Sequence, residues 1–114
     1  PEYNHFFSGG LKNLIDWLSR PADDTGENVL NGKPAAVSGV SLGMSGTGIA
    51  QDHLVTLISF LNMDVKNLPR TVIPYAMEYM DSDWKLRLSD ESYSFLKSQA
   101  DAFIDFVKSH INVS

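Results

Sequence analysis

No cysteine occurs in the 114 residues, which removes disulfide frameworks, thiolate zinc sites and thiol nucleophiles together and fits a reducing compartment. Positive charge is also scarce. Nine Lys and Arg stand against fourteen Asp and Glu, a formal net charge of −5, the wrong sign for a chain that collects the phosphates of a nucleic-acid backbone. No apolar run approaches the roughly 20 residues that cross a bilayer, and the start lacks a basic-then-apolar signal pattern. These absences predict a soluble, cytoplasmic protein with no nucleic-acid and no membrane partner. A second folded core is excluded by length, since 12.6 kDa suits a single domain. What remains is ordinary globular usage, 43% hydrophobic and 20% charged, which predicts a packed fold.

Leu11, Leu14, Ile15 and Leu18 fall at i, i+3, i+4 and i+7, one face of a helix. Ser8 is placed to cap it and Arg20-Pro21 to stop it. Residues 21–31, rich in Asp, Gly and Asn, read as an exposed connection. Residues 33–40 (KPAAVSGV) are a short apolar run between turn signals, the pattern of a parallel strand buried on both faces. A glycine-rich stretch, 41–48, then leads into the stripe Ala50, Leu54, Leu57, Ile58 and Leu61, which predicts a helix over 47–63. Residues 70–74 (RTVIP) predict a second strand, and 75–88 a loop with room for one helical turn. Ser89 caps a third helix, with Asp90 and Glu91 in its first turn and an apolar face of Phe95, Leu96, Phe103, Ile104, Phe106 and Val107. Strands alternating with helices imply right-handed crossovers and a parallel sheet. Two strands, however, do not bury three apolar helix faces. The pattern therefore predicts an α/β chain that forms part of a larger domain.

Ligands of open α/β sheets bind beyond the carboxyl ends of the strands, where loop amides and helix N-termini converge. The 41–48 loop stands there, although it matches neither the phosphate-loop nor the Gly-x-Gly-x-x-Gly spacing. A strand-to-helix turn that needs small residues accounts for it equally well on pattern alone. Gly39-Val40-Ser41-Leu42-Gly43 also satisfies the Gly-x-Ser-x-Gly elbow of serine hydrolases, and Asp81 or Asp83 and then His110 follow in the right order. Against that alternative, three further loop residues separate the elbow from its helix. The histidines show no metal-ligand spacing: His5 reads as exposed, His53 as a core-margin residue and His110 as a partner of its helix's negative end. Asp81 and Asp83 read as a turn, and no metal site is expected. Phe95, Phe103 and Phe106 read as core or interface, and Trp17 with Leu18 as a contact face. Asn112-Val113-Ser114 matches a glycosylation acceptor by chance.

Pro1-Glu2-Tyr3-Asn4 is followed by Gly9, Leu11-Lys12-Asn13, Ile15-Asp16-Trp17 and Ser19-Arg20-Pro21. This block resembles the signature of the NADPH-dependent FMN reductase family, which has a flavodoxin-like fold and includes quinone, azo-dye and chromate reductases. The resemblance continues through Gly32-Lys33-Pro34, Ser-x-Gly-x-x-Gly at Ser41, Gly43 and Gly46, and Ala50-Gln51. It is dense over the first half of the chain and rests on element order beyond. The chain departs from the family at Phe6, Ser8, Thr47 and Ile49.

The resemblance implies a partial flavodoxin-like three-layer fold, two parallel strands and three main helices, from a sheet ordered 2-1-3-4-5. Pro1, Glu2, Tyr3 and Asn4 would lay their backbone along the isoalloxazine ring of FMN. Ser41, Gly43 and Gly46 would meet its pyrimidine side. Residues 1–114 would be the C-terminal portion of one domain, with the N-terminal strands and phosphate loop missing and the fragment inactive alone. The implied cofactors are FMN and NADPH, and the implied partners are a small-molecule electron acceptor (quinone, azo compound, metal oxyanion or second flavin) and further copies in a homo-oligomer. A missing N-terminal fragment is a further implied partner. No catalytic side chain is expected, because flavin supplies the reactive chemistry. The alternative is a non-catalytic fragment stabilised by complementation or self-association.

Overall fold

The structure, a computed structural model, describes residues 2–111. Pro1 and the 112–114 acceptor pattern lie outside the described residues. The chain opens with a feature that the hydrophobic pattern did not signal, a hairpin of β1 (Glu2–Tyr3) and β2 (Phe6–Phe7). Glu2 pairs with Phe7 and Tyr3 with Phe6. Its two turn residues, Asn4 and His5, both have positive φ, 54° and 60°, as a two-residue type I′ turn requires. Two residues per strand are too few for periodicity to register.

Helix α1 (Gly9–Leu18) begins as its sequence predicts, with the Ser8 hydroxyl accepting a hydrogen bond from the Leu11 amide at 3.2 Å. Of its apolar stripe only Ile15 is buried, and Trp17 beside it is 72% exposed.

Each predicted strand is split in two. Residues 33–40 give β3 (Pro34–Ala35) and β4 (Ser38–Val40), and the second run gives β5 (Asp64–Val65) and β6 (Thr71–Ile73). The pairs β3–β5 and β4–β6 are parallel, as expected. The split follows from unequal chain lengths: residues 36–37 on one side face residues 66–70 on the other, and Pro69 in the longer segment has no N–H for a ladder. At this break the carbonyl of Val37 accepts instead from the side-chain amide of Gln99, at 2.7 Å.

Between the paired strands runs α2 (Gly48–Phe60), and after β6 come a short 3₁₀ turn (Ala76–Tyr79) and α3 (Asp90–Ile111), capped by Ser89 as predicted. Ile15, Val37 and Ile58 form the buried centre between α1, α2 and the sheet, ringed by Leu30, Ala35 and Leu54 among others. Helix α3 rests on β3 and β6. The expectation that residues 33–40 are buried on both faces fails at the carboxyl end, where Ser38 and Val40 are exposed. β4 also pairs only with β6 among the described residues, which leaves its other edge open.

Candidate functional site

At the carboxyl ends of β4 and β6 the 41–46 loop is sewn to the segment that follows β6. The Ser41 amide donates to Ile73 O at 3.0 Å, the Tyr75 amide to Gly43 O at 3.0 Å, and the Ala76 amide to Ser41 O at 2.9 Å. Within the loop, the Ser41 hydroxyl donates to Gly43 O and accepts from the Gly46 amide, both at 2.8 Å. Gly46 has φ +58°, and a Cβ there would stand 2.3 Å from Val72 Cγ1, so no other residue fits without displacement. The amides of Leu42, Gly43 and Met44 have no partner among the described residues. The loop therefore offers a row of free N–H donors flanked by apolar side chains, Leu42 at 69% and Met44 at 79% exposure.

The hairpin packs against β4 and α2. Glu2 and Phe7 line one cleft of about 280 Å³ together with Gly39, Val40, Thr47 and Gln51. The Phe6 ring stacks on His53 of α2, centroids 4.3 Å apart, which docks the hairpin on the helix. Tyr3 and Asn4 are exposed and do not line that cleft. Of the described residues that the resemblance singled out, Glu2 lines that cleft, whereas Tyr3, Asn4, Ser41, Gly43 and Gly46 do not. His53 is corrected from a core-margin residue to an exposed stacking partner, because Phe6 supplies the aromatic face that its helix neighbours do not. His5 is exposed as predicted and stands 3.5 Å from a Glu2 carboxylate oxygen.

Among the described residues no nucleophilic constellation forms here. Ser41 directs its proton at a carbonyl, and both nitrogens of His110 are engaged elsewhere, Nδ1 at 2.8 Å from Phe106 O and Nε2 at 2.8 Å from an Asp64 carboxylate oxygen. The Phe106 carbonyl first, and then the Asp64 carboxylate, hold the His110 pKa above its ordinary value. Asp81 organises a turn, accepting from the amides of Asp83 and Lys85 and from Arg87. The Lys85 amide and then Arg87 hold its carboxyl below the usual carboxylate range. Among the described residues no group of three or more His, Cys, Asp and Glu could hold a metal ion, and no helix is long and apolar enough to cross a membrane. The loop offers unpartnered backbone donors beside the exposed apolar side chains of Leu42 and Met44.

Residues 1–77 match the model of the NADPH-dependent FMN reductase family. The chain belongs to that family. It is 35% identical over 108 residues to a 2-hydroxy-1,4-benzoquinone reductase from a Burkholderia species, covering 95% of this chain and 57% of that protein. An NAD(P)H-dependent FMN reductase of Pseudomonas aeruginosa is 40% identical over 102 residues, 90% of this chain and 52% of that one. Among solved structures, the flavoenzyme NAD(P)H:(acceptor) oxidoreductase FerB of Paracoccus denitrificans superposes with a TM-score of 0.81 at 34% identity, over 96% of this chain and 58% of that one. The α/β arrangement is accordingly flavodoxin-like. This FMN reductase family chain spans a little over half the length of those relatives.

Two parts of the candidate site escaped the sequence pattern. The Phe6–His53 stack joins residues 47 positions apart, beyond any periodicity. Gln51 stood in the family motif, but the carbonyl of Thr71 to which its side chain donates, twenty residues on, is visible only in three dimensions.

Proposed function

We propose that this chain supplies the ring-holding rim of an NAD(P)H-dependent flavin reductase that acts on quinones or related small acceptors. One observation carries the reading: Glu2 and Phe7 of the hairpin line a cleft with Gly39 and Val40 of β4, the strand that feeds the 41–46 loop, and the loop amides of residues 42–44 lack partners among the described residues. Free N–H donors at left-handed or glycine-bearing turns fit the carbonyl and nitrogen edge of an isoalloxazine. The open space beside Gly43, with nothing within 4 Å of its Cβ position, admits the ring. When bound, FMN supplies the redox chemistry, accepting hydride from a nicotinamide and passing electrons to a quinone, azo compound, metal oxyanion or second flavin. The chain's own part is orientation. Glu2, Tyr3 and Asn4 border one side of the ring, Ser41 holds its loop closed, Gly43 lets backbone amides approach, and Gly46 gives the loop the left-handed turn that seats it against Val72.

We further propose that residues 1–114 are the C-terminal portion of one such domain and that the FMN phosphate is held outside them. The open edge of β4 and the exposed apolar residues Leu14, Tyr93 and Phe95 support this. Copies of the domain packing through the Trp17 face would cover part of that surface. Each charge-assisted bond to a phosphate contributes roughly 1.5–3 kcal/mol, so the chain alone holds FMN weakly.

Titration with riboflavin and with FMN, read by flavin fluorescence, tests both statements. The two ligands should bind with similar, weak affinity, and Tyr3→Ala and Asn4→Gly should weaken both while leaving the urea midpoint nearly unchanged. Undiminished riboflavin binding in both variants overturns the ring assignment. FMN binding far tighter than riboflavin overturns the division of labour.

A further inference from the structure

Thr47 stands at the N-cap of α2, where a Thr hydroxyl ordinarily accepts from the second or third helical amide. It makes no such bond, and its backbone is left-handed, φ +73°. The hydroxyl is used differently. The buried side-chain amide of Gln51 donates to Thr47 Oγ1 at 3.0 Å and to the carbonyl of Thr71 on β6 at 2.9 Å. A backbone carbonyl only accepts, so the Thr71 contact fixes which end of the amide carries nitrogen. To make both bonds the amide passes over β4 at Gly39, where a Cβ would lie 3.2 Å from Gln51 Nε2 and 1.8 Å from Thr47 Oγ1. Gln51 therefore ties the residue that ends the 41–46 loop to a strand on the far side of β4. The first glycine of the Gly-x-Ser-x-Gly match is explained by this crossing.

We propose that Gln51 is a positioning residue: by clamping Thr47 to β6 it holds the 41–46 loop, and with it the free amides of residues 42–44, in the geometry that receives the flavin ring. This rests on the ring-binding reading for its ligand, but the clamp itself is a property of the chain alone. Gly46 and Thr47 are consecutive left-handed residues, a conformation disfavoured for a β-branched side chain. The clamp is what over-determines it. Its carbonyl oxygen, Gln51 Oε1, has no partner among the described residues and belongs to a residue lining the cleft. All the donating capacity thus goes to the loop anchor and to β6.

The test uses Gln51→Leu, Gln51→Glu and, as a milder change that keeps the Thr71 bond, Thr47→Ala. Amide hydrogen exchange of the flavin-free chain is followed by NMR, with riboflavin affinity measured in parallel. In Gln51→Leu the amides of Gly43 to Gly46 should exchange roughly tenfold faster, as loss of one or two buried bonds implies, while those of α3 keep wild-type rates. Riboflavin affinity should fall in step, and Thr47→Ala should move the same amides by less. Gln51→Glu should behave like Gln51→Leu at neutral pH, where the carboxylate has no proton to donate, and return toward wild type in acid, where the carboxylic acid regains one donor. Unchanged loop amides, or equal acceleration throughout the chain, overturn the clamp. A loop that loosens while riboflavin affinity stays at the wild-type value overturns its link to the ring. Wild-type protein that binds no riboflavin defeats the flavin reading and leaves the exchange result to decide the clamp.

Discussion

The hydroxyl oxygen of Thr47 occupies the space in which a side chain on residue 39 would begin, 1.8 Å from the ideal Cβ position of Gly39. Gly39→Ala should therefore destabilise the protein by about 1–3 kcal/mol, the usual effect of overpacking. Urea denaturation measures it. In a Thr47→Gly background the same substitution should be much less harmful, because the obstructing atoms are gone. Additive effects of the two changes would show that residues 39 and 47 do not compete for space.

Gly46→Ala combines a left-handed backbone with a Cβ only 2.3 Å from Val72 Cγ1. The conformational part alone amounts to about 1–2 kcal/mol. Flavin affinity should suffer more than stability, since the loop can move away from Val72 more easily than the sheet can open. Val72→Ala should restore part of the affinity, and a double variant no better than Gly46→Ala alone would count against the contact.

Gln99 is buried and donates to Val37 O where the sheet is interrupted. Gln99→Leu keeps the bulk and strands the carbonyl, for an expected loss of about 1–3 kcal/mol by urea denaturation. A neutral substitution would mean that water or a rearranged backbone satisfies Val37.

His110 predicts a pH dependence whose sign follows from geometry. A neutral imidazole has one N–H and cannot donate to both the Phe106 carbonyl and the Asp64 carboxylate, whereas the protonated ring can. The folded pKa is raised above 6.5, first by the Phe106 carbonyl and then by Asp64. The stabilisation is then complete below the unfolded value of 6.5 and is lost as pH rises through the folded one. The gap in Tm between wild type and His110→Ala should be widest in mild acid and shrink in mild alkali. A gap independent of pH would refute the protonated clasp.

How much was legible in the sequence divides by range of interaction. The Ser8 and Ser89 caps and the three helices are local, set by residues within a few positions, and the structure reproduces them. Parallel pairing followed from element order. The splitting of both strands did not, because it depends on a length mismatch between segments thirty residues apart. The Asn4-His5 turn was invisible to periodicity, although its tetrapeptide carried the family resemblance. Thr47 read as an odd residue at a glycine position. Only the crossing of Gln51 over Gly39 shows why a hydroxyl is useful there.

Asn4, His5, Thr47 and Tyr75 all have positive φ without being glycine, and all four border the loop or the hairpin turn. Each of these conformations is disfavoured for a residue with a Cβ and is held by its surroundings, as the Gln51 bond holds Thr47. A chain selected for ruggedness alone would have softened these corners. Under the flavin-binding proposal, keeping them stiff shapes the cradle before its guest arrives, and engineering this edge for heat resistance would trade away readiness to bind.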